Sequence, residues 1–170
     1  MNGDKRMANA TRRFAASIVL SVVFIAPSGL AIAAEPVAFD VNVTLSKKAA
    51  SALAAASEGI VVGASYSAEP LPSARKHAGE IGEIDLGSEQ VEIPGKPGTA
   101  HVSGSKLRTD RLKWITGPIL LNINVYSARK GGPDNILACD FFDGKLADVR
   151  SPITLRCALI EEKPQTEQKS

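Results

Sequence analysis

The chain has 170 residues, 44% of them hydrophobic and 22% charged, with 20 basic and 18 acidic side chains for a net charge of +2. Four of the basic residues and only one acid fall within residues 1–33, so residues 34–170 carry about one net negative charge. That removes the overall basic field on which nucleic acid binding depends, and the length fits one domain with no internal repeat.

The N-terminus opens on Lys5, Arg6, Arg12 and Arg13, continues through an apolar stretch from Phe14 to Ala26, breaks at Pro27-Ser28-Gly29 and reaches Ala31-Ile32-Ala33. A basic start, an apolar middle and small residues at the cut make the three-part layout of a secretory signal peptide. The apolar stretch is too short, and too broken by Pro27, to span a bilayer comfortably, and an N-terminal membrane anchor that is never cut is the alternative. Cleavage after Ala33 is expected, giving a signal peptide at 1–33, a single β-sandwich domain at 34–162 and a polar disordered tail at 163–170. The expected location is the periplasm or the extracellular medium, with no membrane attachment after cleavage.

In chain order, Val37, Phe39, Val41, Val43 and Leu45 alternate with polar residues, the period-two pattern of a half-buried strand. Ser46 caps a short alanine-rich helix from Lys47 to about Ser57, which Gly59 stops. Ile60 to Tyr66 reads as a second strand, ended at Glu69-Pro70-Leu71-Pro72 because each proline lacks an N–H and restricts its predecessor. Residues 73–80 read as a polar link. A short strand over 81–86 is expected to turn at Gly87-Ser88 into another, Glu89 to Ile93. Pro94-Gly95-Lys96-Pro97-Gly98 is a loop. Ala100, Val102 and Leu107 suggest an irregular strand, and Leu112 with Trp114 another, ended by Gly117-Pro118. Ile119 to Tyr126 alternates strongly, and Gly131 to Asp134 turns the chain toward its two cysteine-bearing segments. Seven to nine short strands with frequent Gly/Pro turns predict an all-β, antiparallel β-sandwich of Ig-like or transthyretin-like architecture with one short N-terminal helix. A small barrel is the alternative.

Cys139 and Cys157 are the only cysteines. Leu137, Cys139 and Phe141 share one strand face, and Ile153, Leu155, Cys157 and Leu159 share another. An antiparallel ladder joining the cysteines sets Leu137 near Leu159 and Phe141 near Leu155. An exported chain with an even cysteine count favours a structural disulfide. No closely spaced ligand pair suggests a metal, and no His lies close in sequence to activate a thiol. The sequence leaves open whether the bridge lies within one sheet or between two.

No catalytic constellation stands out. His101, followed by Ser103 and Ser105, is the only candidate for a hydrolytic centre, and no nucleophile motif accompanies it. Glu80, Glu83, Asp85, Glu89 and Glu92 form an acidic group without a calcium-loop pattern, expected to pair with Lys106, Arg108, Arg111 and Lys113 as solvated strand faces do. Asn42-Val43-Thr44 fits the glycosylation sequon. The best lead is the polar face of the strongest strand, Asn122, Asn124 and Tyr126, with Arg129 in the turn beyond: a strip able to contact a glycan or a protein. An ordinary solvated sheet face has the same pattern. The expectation is therefore an exported, small, non-enzymatic β-sandwich module without cofactor or metal. Its partner is expected to be a protein, a glycan or an envelope component, and not a nucleic acid. A small extracytoplasmic hydrolase using His101, or an inhibitor of a secreted enzyme acting through the Pro94–Gly98 loop, are the alternatives.

Overall fold

The computed structural model describes residues 37–170, so the expected signal peptide lies outside the described residues. Two sheets pack face to face. One has strand order β4-β1-β8-β6, built from β1 (Phe39–Leu45), β4 (Gly98–Val102), β6 (Leu137–Cys139) and β8 (Ile153–Leu159). The other has order β3-β2-β5-β7-β9, built from β2 (Gly59–Pro70), β3 (Ile84–Pro94), β5 (Ile115–Ser127), β7 (Phe141–Lys145) and β9 (Gln168–Lys169). Alternation decides which face each strand buries. Phe39, Val41 and Val43 of β1 meet Ile60, Val62 and Ala64 of β2 and Leu121, Ile123 and Val125 of β5 in one core. The all-β sandwich expected from the sequence is the architecture. Most pairings are antiparallel, but β1 runs parallel to β8 and β9 parallel to β7.

Helix α1 (Lys47–Ala55) starts where Ser46 accepts a hydrogen bond from the Ala49 N–H, and it buries Ala49 and Leu53 against the core. It stops earlier than expected. Ser57 adopts the left-handed conformation (φ 51°), and the Glu58 N–H closes back on the Leu53 carbonyl at 2.8 Å.

Three departures from the sequence reading have local causes. First, the two strands expected either side of Gly87-Ser88 are one bulged strand, β3: Ser65 pairs with Ser88 while Ser67 pairs with Asp85, so two residues oppose Tyr66. Gly87 carries the bulge at φ 104°, and a Cβ there would lie 2.3 Å from the Lys106 carbonyl oxygen, a space only glycine leaves open. Second, Gly117-Pro118 bulges out of β5 rather than ending a strand. Glu69 pairs with Thr116 and Ser67 with Leu120, and Gly117 takes φ 72°. Third, the link at 73–80 and the strand expected around Leu112 are largely 3₁₀ turns, Pro72–His77 and Thr109–Trp114, held together by the Leu71 N–H donating to the Trp114 carbonyl at 2.8 Å.

The cysteine segments are neighbours in one sheet: Leu137 pairs with Leu159, Ala138 with Ala158 and Cys139 with Cys157, and the two sulfurs are bonded. The expected contact of Phe141 with Leu155 does not form. At Asp140 the chain leaves one sheet for the other, which inverts the parity and turns Phe142, not Phe141, into the core. Asp140 is 2% exposed and makes the crossing possible. Its carboxylate accepts hydrogen bonds from the Arg156 Nε at 3.0 Å and the Glu167 N–H at 2.9 Å. Burial alone would raise this carboxyl, but the Arg156 guanidinium and the two backbone N–H groups outweigh it and hold it below the ordinary carboxylate range. The same contact orders the C-terminal segment, read from sequence as a disordered tail. The Phe141 N–H donates to the Glu167 carbonyl, and Gln168 and Lys169 pair with Phe141 and Phe142.

Candidate functional site

Strand alternation places the residues of interest on the solvent face of the five-stranded sheet, in rows fixed by register. Glu92, Val61 and Tyr126 form one row, and Gln90, Gly63 and Asn124 the next. Ser88, Ser65, Asn122 and Asp143 form the third, and Asp85, Ser67, Leu120 and Lys145 the fourth. The structure thus brings Asn122, Asn124 and Tyr126 together as the alternation of β5 requires. Arg129 is set apart: it follows the end of β5 in a turn, exposed, with its backbone left-handed at φ 61°. That turn is fastened by the buried Glu58, whose carboxylate accepts from the Gly131 N–H at 2.7 Å and the Gly59 N–H at 2.9 Å. The Gly131 N–H, with those of Lys130 and Gly59, overcomes burial and holds the Glu58 carboxyl low.

Sequence reading did not single out β2 and β3, which supply half of this face. Gly63, Ser65 and Ser67 alternate with Val62, Ala64, Tyr66 and Ala68, and that parity is the signal that marks them as outward-facing. Gly63 matters most. The Tyr126 ring lies across it, with Cε1 3.5 Å and the hydroxyl 3.6 Å from where a Cβ would stand. A shallow hollow of about 130 Å³ surrounds Gly63, bounded by Ser65, Ser88, Gln90, Asn124 and Tyr126. Beside it a larger trough of about 480 Å³ runs past Ser65, Ser67, Leu120 and Asn122 to a wall formed by Ile81 and Glu83 of the preceding loop and Asp85 of β3. Ile81 is 82% exposed at the tip of a turn closed by the Gly79 N–H donating to the Glu83 carbonyl.

The two solvated sheet faces differ in how far their polar groups are already satisfied. On the four-stranded sheet, His101 Nδ1 lies 2.8 Å from Asp40, Thr99 donates to Asn42 at 2.7 Å, and Arg156 is bound to Asp140 and Glu167. On the five-stranded sheet, the one side-chain hydrogen bond within the second and third rows joins Asn124 to Asn122. Among the described residues, Ser65, Ser88, Gln90 and the Tyr126 hydroxyl make no hydrogen bond through their side chains, so their donors and acceptors are free for a ligand.

The other candidates separate. His101 is held by Asp40, while Ser103 bonds Glu89 and Ser105, so neither serine reaches the histidine. His77 stacks on Trp114 with ring centroids 4.1 Å apart. Of the acids, Asp85 pairs with Arg111 as expected at 2.9 Å, but Glu92 pairs with Lys130 instead. Among the described residues, no group of three His, Cys, Asp or Glu side chains is placed to hold a metal ion, and no helix is long and apolar enough to cross a membrane. No family model matches the chain, and neither a curated protein nor a solved structure matches it.

Proposed function

We propose that this chain is an exported, non-enzymatic binding module that recognises a protein, glycan or envelope component through the outer face of its five-stranded sheet. The observation that carries this reading is the contrast between the faces. On the four-stranded sheet Asp40, Asn42, Thr99, His101 and Arg156 have side-chain partners and Thr44 and Thr154 do not, whereas around Gly63 on the other sheet Ser65, Ser88, Gln90 and the Tyr126 hydroxyl all lack one among the described residues. Unpaired amides and hydroxyls around a glycine-floored hollow form a surface ready for polar contacts without first breaking internal ones. The disulfide in the described domain is compatible with an oxidising, extracytoplasmic compartment.

The test is capture of partners from an envelope extract by the purified protein and by its Asn124→Arg variant. Position 124 is exposed on a strand, so the variant keeps the fold while placing a long cation in the centre of the strip. Loss of the captured species in the variant is expected; equal capture would move recognition elsewhere. Hydrolysis at His101 is the competing reading, supported by its short contact with Asp40. An activity surviving His101→Ala would end it.

A further inference from the structure

Resting on that reading of the face, we infer that the ligand is an uncharged, polyhydroxylated chain, a neutral oligosaccharide, with Tyr126 as its stacking platform. Gly63 lets the Tyr126 ring settle across β2 while part of its surface stays in solvent. The apolar C–H face of a sugar ring fits such a π surface, whose negative quadrupole attracts polarised C–H groups. Around the ring, Gln90, Asn124 and Asn122 offer amides that both donate and accept, and Ser65 and Ser88 offer hydroxyls that do the same. This is the mixed donor–acceptor pattern that the rim of a sugar presents.

Charge excludes the nearest competitors. The second and third rows hold no basic side chain, and the acids Asp143, Asp85 and Glu92 stand at their margins. A phosphate or carboxylate ligand needs Arg or Lys donors at its centre. A protein partner needs a desolvated aromatic or aliphatic anchor cluster; these two rows beside Tyr126 carry no large aliphatic side chain, and the exposed Ile81 stands apart from them on the far wall of the neighbouring trough. An extended peptide would add at an open edge of the sheet, such as β3, and not over the interior strands β2 and β5, whose backbone groups are paired on both sides and which carry Gly63, Ser65, Asn122, Asn124 and Tyr126. The third row, from Ser88 to Asp143, crosses three strand spacings, about 14 Å, room for two or three sugar rings in line beside Tyr126.

The experiment is calorimetric or NMR titration of the protein with maltohexaose, cellohexaose and chitohexaose, and with hexagalacturonate as the acidic counterpart. At least one neutral hexasaccharide is expected to bind with a Kd of about 1 mM or tighter, and hexagalacturonate not to bind. Tyr126→Ala is expected to weaken binding about tenfold or more. Gly63→Val, which lifts the ring, is expected to do the same, with Gly63→Ala intermediate because its Cβ fits at 3.5 Å. A thermal melt of each variant distinguishes lost binding from lost fold. Absence of binding by all three neutral sugars, or binding indifferent to Tyr126→Ala, overturns the inference. If the neutral sugars fail while Asn124→Arg still abolishes capture from extract, the face remains the recognition surface and only the ligand class falls.

Discussion

Asp140→Ala is expected to loosen the molecule at the point where the chain changes sheets. The substitution deletes the acceptor of the Arg156 Nε at 3.0 Å and of the Glu167 N–H at 2.9 Å, and a weaker one from the Arg156 N–H at 3.3 Å. Breaking a fully buried ion pair costs about 3–5 kcal/mol because a charge is stranded. Here the stranded partner is Arg156, whose side chain is 59% exposed and regains water, so the cost falls nearer the range of about 2–3 kcal/mol for hydrogen bonds to a charged group. For a domain of this size that is a drop of about 10 °C in Tm. Asp140→Asn keeps a carbonyl acceptor and is expected to lose about half as much. Urea unfolding measures the free energy, and hydrogen exchange of the Phe141 and Glu167 amides reports whether the C-terminal segment has come away. The carboxyl is held below its ordinary value, so its stabilisation is present in full above the unfolded-state pKa, about 4, and is lost as pH falls through the lower folded-state value. The gap between wild type and Asp140→Ala should therefore close in acid. A loss under about 0.5 kcal/mol with unchanged amide protection would refute the role given to this carboxylate.

Three further outcomes are expected. Replacing both Cys139 and Cys157 by Ala should cost about 3 kcal/mol, the loop-closure value for cysteines 18 residues apart, and the native protein should take up no thiol reagent until reduced. Tyr66 is buried, and burial followed by the charge of Glu89 pushes its hydroxyl up to about 12. The folded state therefore keeps a proton the unfolded chain has released, and stability should fall between about pH 10 and 12 by up to about 3 kcal/mol. In Tyr66→Phe that alkaline loss should vanish with little change at neutral pH, because the hydroxyl has no protein partner among the described residues. Gly87→Ala should cost about 2 kcal/mol or more in denaturant unfolding, since φ 104° and the Lys106 carbonyl at 2.3 Å leave no relaxed place for a methyl group.

The two-layer architecture was legible because alternation is a local property: β1, β5 and β8 announce their buried faces residue by residue. The Cys139–Cys157 bridge was legible for the same reason, since parity sets each cysteine on the more apolar face of its strand; that the two strands are neighbours in one sheet was not, because parity is the same for a bridge across two sheets. Bulges were not. Gly87 and Gly117 look like turn residues in a linear reading, and only the register of the neighbouring strand shows that the chain continues through them. The crossing at Asp140 was hidden more deeply, because an acid between Cys139 and Phe141 reads as an outward-facing position. Its partners, Arg156 and Glu167, lie 16 and 27 residues away and have no local signature. Of the candidate face, one strand was found from its amides, while the matching serines and Gly63 of β2 became significant only once β2 was seen beside β5.

Recognition on the outer face of the five-stranded sheet is the proposal that every binding prediction depends on. The most direct measurement is residue-resolved amide and side-chain NMR of the protein as its captured partner or a binding hexasaccharide is titrated in. Shifts concentrated at Gly63, Ser65, Gln90, Asn122, Asn124 and Tyr126 are the predicted result. Shifts centred on Asp40, Asn42, Thr99 and His101 of the opposite face, with the five-stranded sheet silent, would contradict it.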